Sequence, residues 1–318
     1  MGMQIEIDPT VDFVCKMLLG DPAHSRLTIH FLNAVLRPDS PIVSVEHLNP
    51  IVPQEFDLDK LSILDILAQD ALGRRFNIEV QRTKPGWLPE RLTYYAATQL
   101  VEQIGEGDSY NRLRPSIGIC ILKAILFPKQ PEYQHEFRLR TTGGLELTKC
   151  LEIHILELPK YPNGDDNRRI IDPLDQWMDF FQNALGSSPS ELQERLSSPI
   201  FEEAIGVLEM ISRTPEQRRY YNARLKWQLD ENTRREDEEA ARAASMVEGI
   251  AEGIAEGIAQ GIAEGEARGE IKLIRALEEL LQMPISLDEA FRGKTLEELQ
   301  LQASSLQEKI RNRSSSSP

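Results

Sequence analysis

The chain has 318 residues, of which 41% are hydrophobic, and its formal net charge is −15. That length suffices for one large domain or two of ordinary size, each with its own core. No apolar stretch is long enough to span a membrane, no leader for secretion opens the chain, and three scattered cysteines exclude a zinc or disulfide framework. We therefore expect a soluble, cytoplasmic protein.

The negative charge is concentrated in the second half of the chain. Residues 1–160 carry 17 Lys and Arg against 21 Asp and Glu, whereas residues 161–318 carry 19 against 30. Residues 74–140 are locally basic, with 11 basic and 7 acidic residues. Phosphate binding requires clustered cations, so the overall charge opposes nucleic-acid binding while this segment permits it.

The first predicted elements are two helices and a β-hairpin. Residues 12–36 have helical periodicity, interrupted at Gly20-Asp21-Pro22, and extended segments are predicted at 42–45 and near Ile51. The apolar run 61–68 and the alternating run 76–81 follow, joined by residues 69–73, whose Gly and Asp suit a tight reversal. These two runs predict the hairpin.

The remaining pattern completes an α/β core and adds a helical extension. A helix is predicted at 91–103, strands at 116–126 and 151–158, and helices from 173 to about 235. We therefore divide the chain into a core at 1–160, a helical extension at 161–235, an acidic repeat at 236–270, and C-terminal helices with a Ser-rich tail at 271–318.

The acidic repeat has glycine at every fourth position from Gly249 to Gly269, with Ile, Ala and Glu between most of them. Each glycine costs a helix about 1 kcal/mol relative to alanine, which favours a solvated linker. The intervening residues favour a helix whose glycine stripe lets a second helix approach closely. Both interpretations remain open: a linker, or a segment through which copies of the chain associate.

The hairpin carries the residues that indicate chemistry. Asp65 interrupts an apolar run, and Glu79 and Gln81 share one face of the next strand because side chains alternate. If the register matches, Asp65 lies opposite them, and two carboxylates come within reach of one divalent ion. Such a site suits phosphodiester hydrolysis. Alternatively, Glu79 is an exposed strand residue and Asp65 is satisfied by a backbone amide or an arginine.

The predicted helix after the hairpin carries Arg91, Tyr95 and Gln99 at successive helical turns. One face of this helix could therefore contact DNA phosphates. In the alternative interpretation, Tyr95 packs in the core and Arg91 pairs with a surface carboxylate.

Together these residues resemble a known family. Asp65, then thirteen residues, then Glu79-Val80-Gln81 is similar to the PD-(D/E)XK nuclease core, with Gln81 in the usual Lys position. More specifically, the chain resembles the Rpn family of recombination-promoting nucleases, also described as PD-(D/E)XK transposases. The matching segments, in order, are residues 12–20, 60–65, 77–81, 91–95, 107–110 and 157–160.

The resemblance implies an α/β fold with a mixed central sheet flanked by helices, and a Mg²⁺ cofactor, with Mn²⁺ as an alternative. It implies Asp65 and Glu79 as metal ligands, with Val80 in the same set, Gln81 orienting the attacking water, and Asp12 as a fourth active-site member. Lys16 joins Arg91, Tyr95 and Gln99 in the DNA-binding set. Because Gln has no charge and takes no proton, Gln81 can only orient.

The leading hypothesis is therefore a metal-dependent DNA endonuclease linked to recombination or mobile elements. The alternative is a weak or inactive nuclease-fold protein that assembles into a homo-oligomer through its C-terminal helices, which Gln81 and the net acidity favour. A transposase proper is the third and weakest hypothesis, because no second DNA-binding module is evident in the sequence.

Overall fold

The computed structural model describes residues 4–49, 65–162 and 169–314. Its strands are β1 Val45–His47, β2 Ile66–Asp70, β3 Arg75–Gln81, β4 Ser116–Leu122, β5 Gln134–Arg138 and β6 Leu151–Glu157. Its α-helices are α1 Asp12–Leu19, α2 Ser25–Leu36, α3 Leu88–Val101, α4 Pro173–Asn183, α5 Pro189–Arg195, α6 Ile200–Arg213, α7 Pro215–Leu280 and α8 Leu296–Ser314.

The six strands form one mixed sheet in the order β1-β2-β3-β4-β6-β5. β3, β4 and β6 run parallel, while β1, β2 and β5 pair antiparallel with their neighbours. The parallel pair β3 and β4 is joined through α3, the long crossover that parallel strands require. The expected fold class, a mixed central sheet flanked by helices with a C-terminal helical region, is confirmed.

Helices cover both faces of the sheet, and the alternation along β3 explains how. Phe76 and Ile78 point into the main core, which also contains apolar residues of α1, α2, α4 and α6. On the opposite face, Leu92 of α3 packs with Cys120 and Ile155 in a smaller core. Asn77, Glu79 and Gln81 therefore lie on the face that α3 covers.

The turn of the hairpin is shorter than predicted. Gln69 still pairs with Arg75, so β2 continues into the segment expected to be a loop. Asp70 then accepts hydrogen bonds from the backbone amides of Leu72 and Arg74 through Oδ1, and Gly73 takes a positive φ of 79°. The predicted strand residues 61–64 lie outside the described residues, as does the segment near Ile51.

Other element boundaries also differ from the sequence pattern. β1 begins at Val45, where the predicted extended segment 42–45 ends. β4 ends at Leu122 because its partner β6 ends in register at Glu157, although the apolar run continues to Phe127. α3 begins at Leu88, three residues before the predicted helix.

Contacts divide the chain into two compact units, Met1–Asn232 and Thr233–Pro318. The first contains the sheet. In the second, Ile274 and Leu277 of α7 pack against Leu299 and Leu306 of α8 in a core of its own. The four-part division drawn from composition stays a prediction.

The glycine repeat is helical and lies within α7, a helix of 66 residues. Exposed isoleucines recur at every fourth position from Ile250 to Ile262, between 52% and 58% exposed. A helical repeat is compatible with self-association, which stays a prediction.

The three cysteines are free thiols, with Cys15 and Cys120 buried and Cys150 half-buried. Across residues 4–49, 65–162 and 169–314, no helix combines the length and the apolar composition that a membrane span requires.

Gly20 ends α1 against the hairpin. A Cβ atom at this position would lie 2.8 Å from the carbonyl oxygen of Lys16 and 3.1 Å from Cγ1 of Ile66. A side chain at position 20 would therefore push the end of α1 away from the first residue of β2.

Candidate active site on the hairpin

The register of the hairpin brings Asp65 and Glu79 together. Ile66 pairs with Ile78 in the antiparallel ladder, so one further step along both chains sets Asp65 opposite Glu79. Directly opposed residues of an antiparallel pair point to the same side. Glu79 is only 4% exposed, and Asp65 is half-buried beside it.

The two carboxyl groups are poorly compensated electrostatically. Burial and the charge of Glu79 raise the pKa of Asp65 to about 7, although Arg91 and Lys16 oppose the shift. Burial also raises the pKa of Glu79, against the lowering effects of Arg91 and Gln81. The site therefore has too little positive charge for two ionised carboxylates.

The hydrogen bonds of Glu79 use only one of its oxygens. Oε2 accepts from Nε2 of Gln81 at 2.9 Å and from Nη2 of Arg91 at 2.8 Å. Oε1 is buried, and none of the described residues forms a hydrogen bond with it. A buried carboxylate oxygen left in this way is costly, and a cation would stabilise it.

These residues fit a divalent ion that takes few protein ligands. The described residues contain no group of three or more His, Cys, Asp or Glu side chains that could hold a metal. Mg²⁺ binds one or two carboxylates and completes its shell with water and phosphate oxygens, which matches Asp65 and Glu79. Val80 can contribute only its carbonyl oxygen, since its side chain packs against the main core on the other face.

Asp12 lies at the start of α1 and is held by α7. Its Oδ2 accepts a hydrogen bond of 2.6 Å from Nε of Arg224, whose guanidinium stacks 4.2 Å from the Trp227 ring centroid. The charge of Asp12 reaches Asp65 and helps to raise its pKa. Asp12 therefore influences the pKa of Asp65 electrostatically, while its own carboxylate is hydrogen-bonded to Arg224.

The four residues predicted to bind DNA have different surroundings. Arg91 is half-buried and bridges Glu79 to the rings of Trp87 and Tyr95, 5.3 and 5.8 Å from its guanidinium carbon. Lys16 is buried and acts electrostatically on Asp65. Gln99 is 8% exposed and accepts a hydrogen bond from Ser116, which leaves it little surface for a DNA contact.

The alternative to DNA contact, in which Arg91 pairs with a surface carboxylate and Tyr95 packs in the core, does not match the structure, while DNA contact itself stays a prediction. Its carboxylate partner is the buried Glu79 of the site rather than a surface group. Tyr95 is half-buried beside Arg91 and is not packed in either core of the sheet. Both Arg91 and Tyr95 lie on α3, so the packing of this helix against the hairpin determines where their side chains lie.

The family of the chain agrees with this geometry. Residues 9–238 match the family described as PD-(D/E)XK nuclease family transposase. The chain belongs to this family. Searches among curated proteins and among solved structures found no significant match. Membership supports a nuclease- or transposase-related role with DNA as the substrate, and nucleases of the PD-(D/E)XK type typically use divalent metal ions.

A second charged cluster at the same end of the sheet was not predicted. Asp8 is buried and accepts hydrogen bonds of 3.1 Å from Arg82 and from Lys123. Burial opposes its ionisation, but Thr10, Lys123 and Arg82 lower its pKa. Arg82 and Lys123 directly follow β3 and β4, so they lie next to Gln81.

No local pattern joins the members of this cluster. Asp8 and Lys123 are separated by 115 positions in the chain. The only local signal is that a cation follows each of two adjacent parallel strands, and a correct strand order is needed to use it.

Proposed function

We propose that the protein is a Mg²⁺-dependent DNA endonuclease, with Mn²⁺ as an alternative cofactor, that acts in the cytoplasm in recombination or in the movement of mobile elements. Asp65 and Glu79 are the metal ligands, with the Val80 carbonyl available to the same site. The observation that carries this proposal is the convergence of the buried Glu79 with the half-buried Asp65, where Oε1 of Glu79 has no hydrogen-bond partner among the described residues.

Different side chains have different roles in the proposed phosphodiester hydrolysis. Water adds its oxygen to phosphorus and loses a proton to solvent, while one phosphorus–oxygen ester bond breaks and the leaving oxygen gains a proton. Bound Mg²⁺ would supply Lewis-acid activation for this reaction. Gln81 orients the water through its neutral amide, and Asp12 adds negative charge near Asp65.

Cations around the hairpin support DNA as the substrate. Arg91 is half-exposed at the site, and Arg82 and Lys123 follow the neighbouring strand ends. Arginine and lysine contacts to phosphate oxygens position a duplex without reading its sequence. Lys16 contributes from beneath through its charge, whereas Tyr95 offers an aromatic surface beside Arg91.

The test is plasmid nicking by purified full-length protein with and without Mg²⁺ or Mn²⁺. We expect wild-type protein to nick only with metal, and Asp65→Ala to slow nicking at least ~100-fold, the range seen when one preorganised electrostatic group is removed. Asp108→Ala is the matched control, because Asp108 is a carboxylate paired with Arg112 at the surface. Nicking that persists in Asp65→Ala would disprove the site assignment.

A second candidate function is a nuclease-fold interaction protein that assembles through α7 and α8. Gln81 in place of lysine and the exposed isoleucines of the repeat favour it. Absence of metal-dependent nicking in folded wild-type protein, together with an oligomeric mass that Ile254→Lys and Ile258→Lys reduce to the monomer, would establish this alternative.

A further inference from the structure

Arg91 already pairs with one oxygen of Glu79, a proposed metal ligand. Its Nη2 lies 2.8 Å from Oε2 of Glu79, and the resulting ion pair joins a carboxylate that is almost fully buried to a guanidinium that is 24% exposed. A cation already bound to a ligand competes with any second cation for the same charge. Arg91 therefore competes with a metal ion for the charge of Glu79, even though Oε1 has no hydrogen-bond partner among the described residues.

Few cations at the site could contact the substrate phosphate, since Lys16 is buried. Gln81 stands where the family places lysine, and its amide carries no charge. Among the described cations near the hairpin, Arg224 is engaged with Asp12, and Arg82 and Lys123 are both engaged with Asp8. Arg91 combines direct contact with Glu79, an electrostatic effect on Asp65, and partial exposure to solvent.

The surroundings of Arg91 would allow its guanidinium to leave Glu79 and bind a second partner. Its Nε is buried and forms no hydrogen bond with the described residues, so this N–H group can still donate to a ligand. Trp87 and Tyr95 flank the guanidinium carbon and would stabilise the charge once Glu79 is released. Nε and Nη together form the planar fork that binds two oxygens of a phosphate group.

We propose that Arg91 is a catalytic residue that holds Glu79 before metal binding, releases it to the metal, and then binds the scissile phosphate in place of the missing lysine. This inference rests on the proposed nuclease function and deepens it. It makes opposite predictions for two quantities: loss of the Arg91 charge strengthens metal binding and weakens cleavage. A guanidinium that only held Glu79 in place would weaken both.

The experiment measures both quantities on Arg91→Gln, which keeps a hydrogen-bond donor beside Glu79 without the charge. Calorimetric titration with Mn²⁺ alone is expected to show about tenfold tighter binding, the effect of losing one charged hydrogen bond. Cleavage of plasmid DNA at saturating Mn²⁺ is expected to slow about 100-fold. Arg112→Gln is the matched control, since Arg112 pairs with Asp108 at the surface.

A chemical rescue separates a phosphate-binding cation from a structural one. Arg91→Ala should regain part of its cleavage in guanidinium chloride at concentrations well below those that unfold the protein, and not in sodium chloride of equal ionic strength. The proposal is overturned if Arg91→Gln cleaves like Arg112→Gln or binds Mn²⁺ less tightly than wild type. If wild-type protein binds Mn²⁺ but cleaves no DNA, the proposed function fails instead.

Discussion

Glu79 and Glu157 are both buried on the α3 face of the sheet, at the same end of parallel strands, yet their surroundings are opposite. Gln81 of β3, Leu122 of β4 and Glu157 of β6 lie in one register, so Glu157 is two strands away from the site. Burial raises the pKa of Glu79. Burial also disfavours ionisation of Glu157, but Lys160 and two backbone amides lower its pKa below the ordinary value.

The partners of Glu157 explain this difference. Its Oε1 accepts hydrogen bonds from the backbone amides of Leu126 and Phe127. Its Oε2 contacts Lys160 and lies 2.9 Å from Nε2 of His135. Glu157 therefore links the segment after β4 to the end of β6, whereas one oxygen of Glu79 has no hydrogen-bond partner in the described part of the chain.

Burial of a carboxylate alone therefore does not identify a catalytic site. The two glutamates are 4% and 0% exposed, and both carry charge into the protein interior. What separates them is whether neighbouring groups satisfy that charge. The unsatisfied carboxylate marks the site proposed to bind metal, and the satisfied one marks a structural junction.

The largest expected effect is on stability when each glutamate is neutralised. Glu157→Gln should lower the free energy of unfolding by roughly 3–5 kcal/mol, because it leaves buried Lys160 without its carboxylate. Glu79→Gln should change it by less than about 1 kcal/mol without metal, since the loss of the Arg91 pair is offset by the removal of a buried charge. Urea unfolding followed by the fluorescence of buried Trp177 measures both.

Equal destabilisation by the two substitutions would break the comparison. It would mean that Arg91 satisfies Glu79 as completely as four donors satisfy Glu157.

An intermediate effect is expected from added metal. Mn²⁺ at about 100 times its dissociation constant should stabilise the wild-type protein by ~2.7 kcal/mol, because it binds only the folded state. Glu79→Gln should remove most of this stabilisation, whereas Glu152→Gln, which alters a carboxylate on β6 paired with Arg138, should keep it. Thermal denaturation with and without Mn²⁺ is the measurement, and a metal-induced shift that Glu79→Gln leaves intact would contradict the assignment.

The smallest expected effect is the pH dependence of the stability that Glu157 contributes. The pKa of Glu157 in the folded protein lies below its ordinary value of 4.5, so its charge stabilises the fold fully above that pH. The stability difference between wild type and Glu157→Gln should shrink as the pH falls through the lower, folded-state pKa. Urea unfolding from about pH 7 to 3 follows this difference, and a gap independent of pH would exclude a charge-based role for Glu157.

The sequence predicts the central part of this comparison. Alternation along residues 76–81 sets Glu79 and Gln81 on one face, and the apolar run that contains Asp65 predicts the strand beside them. The mixed sheet with flanking helices also follows from the order of the elements. These features depend on periodicity, which is a local property of the chain.

Features that depend on long-range packing were not predictable in the same way. β5 has a mostly polar and partly exposed sequence, as an edge strand does, so it gives no apolar signal. The contact of Arg91 with Glu79 requires the docking of α3 on the sheet. The hold of Arg224 on Asp12 joins positions 212 residues apart, beyond any local pattern.

Gly20 has no functional group, yet its lack of a side chain lets α1 lie close to the hairpin that carries the site. The absence of a side chain there brings α1, with Lys16 and Asp12, close to the strand that begins one residue after Asp65. One added methyl group would press on both Lys16 and Ile66, the residue that follows Asp65. The surroundings of an ionisable carboxyl group thus depend on a residue that has no side chain.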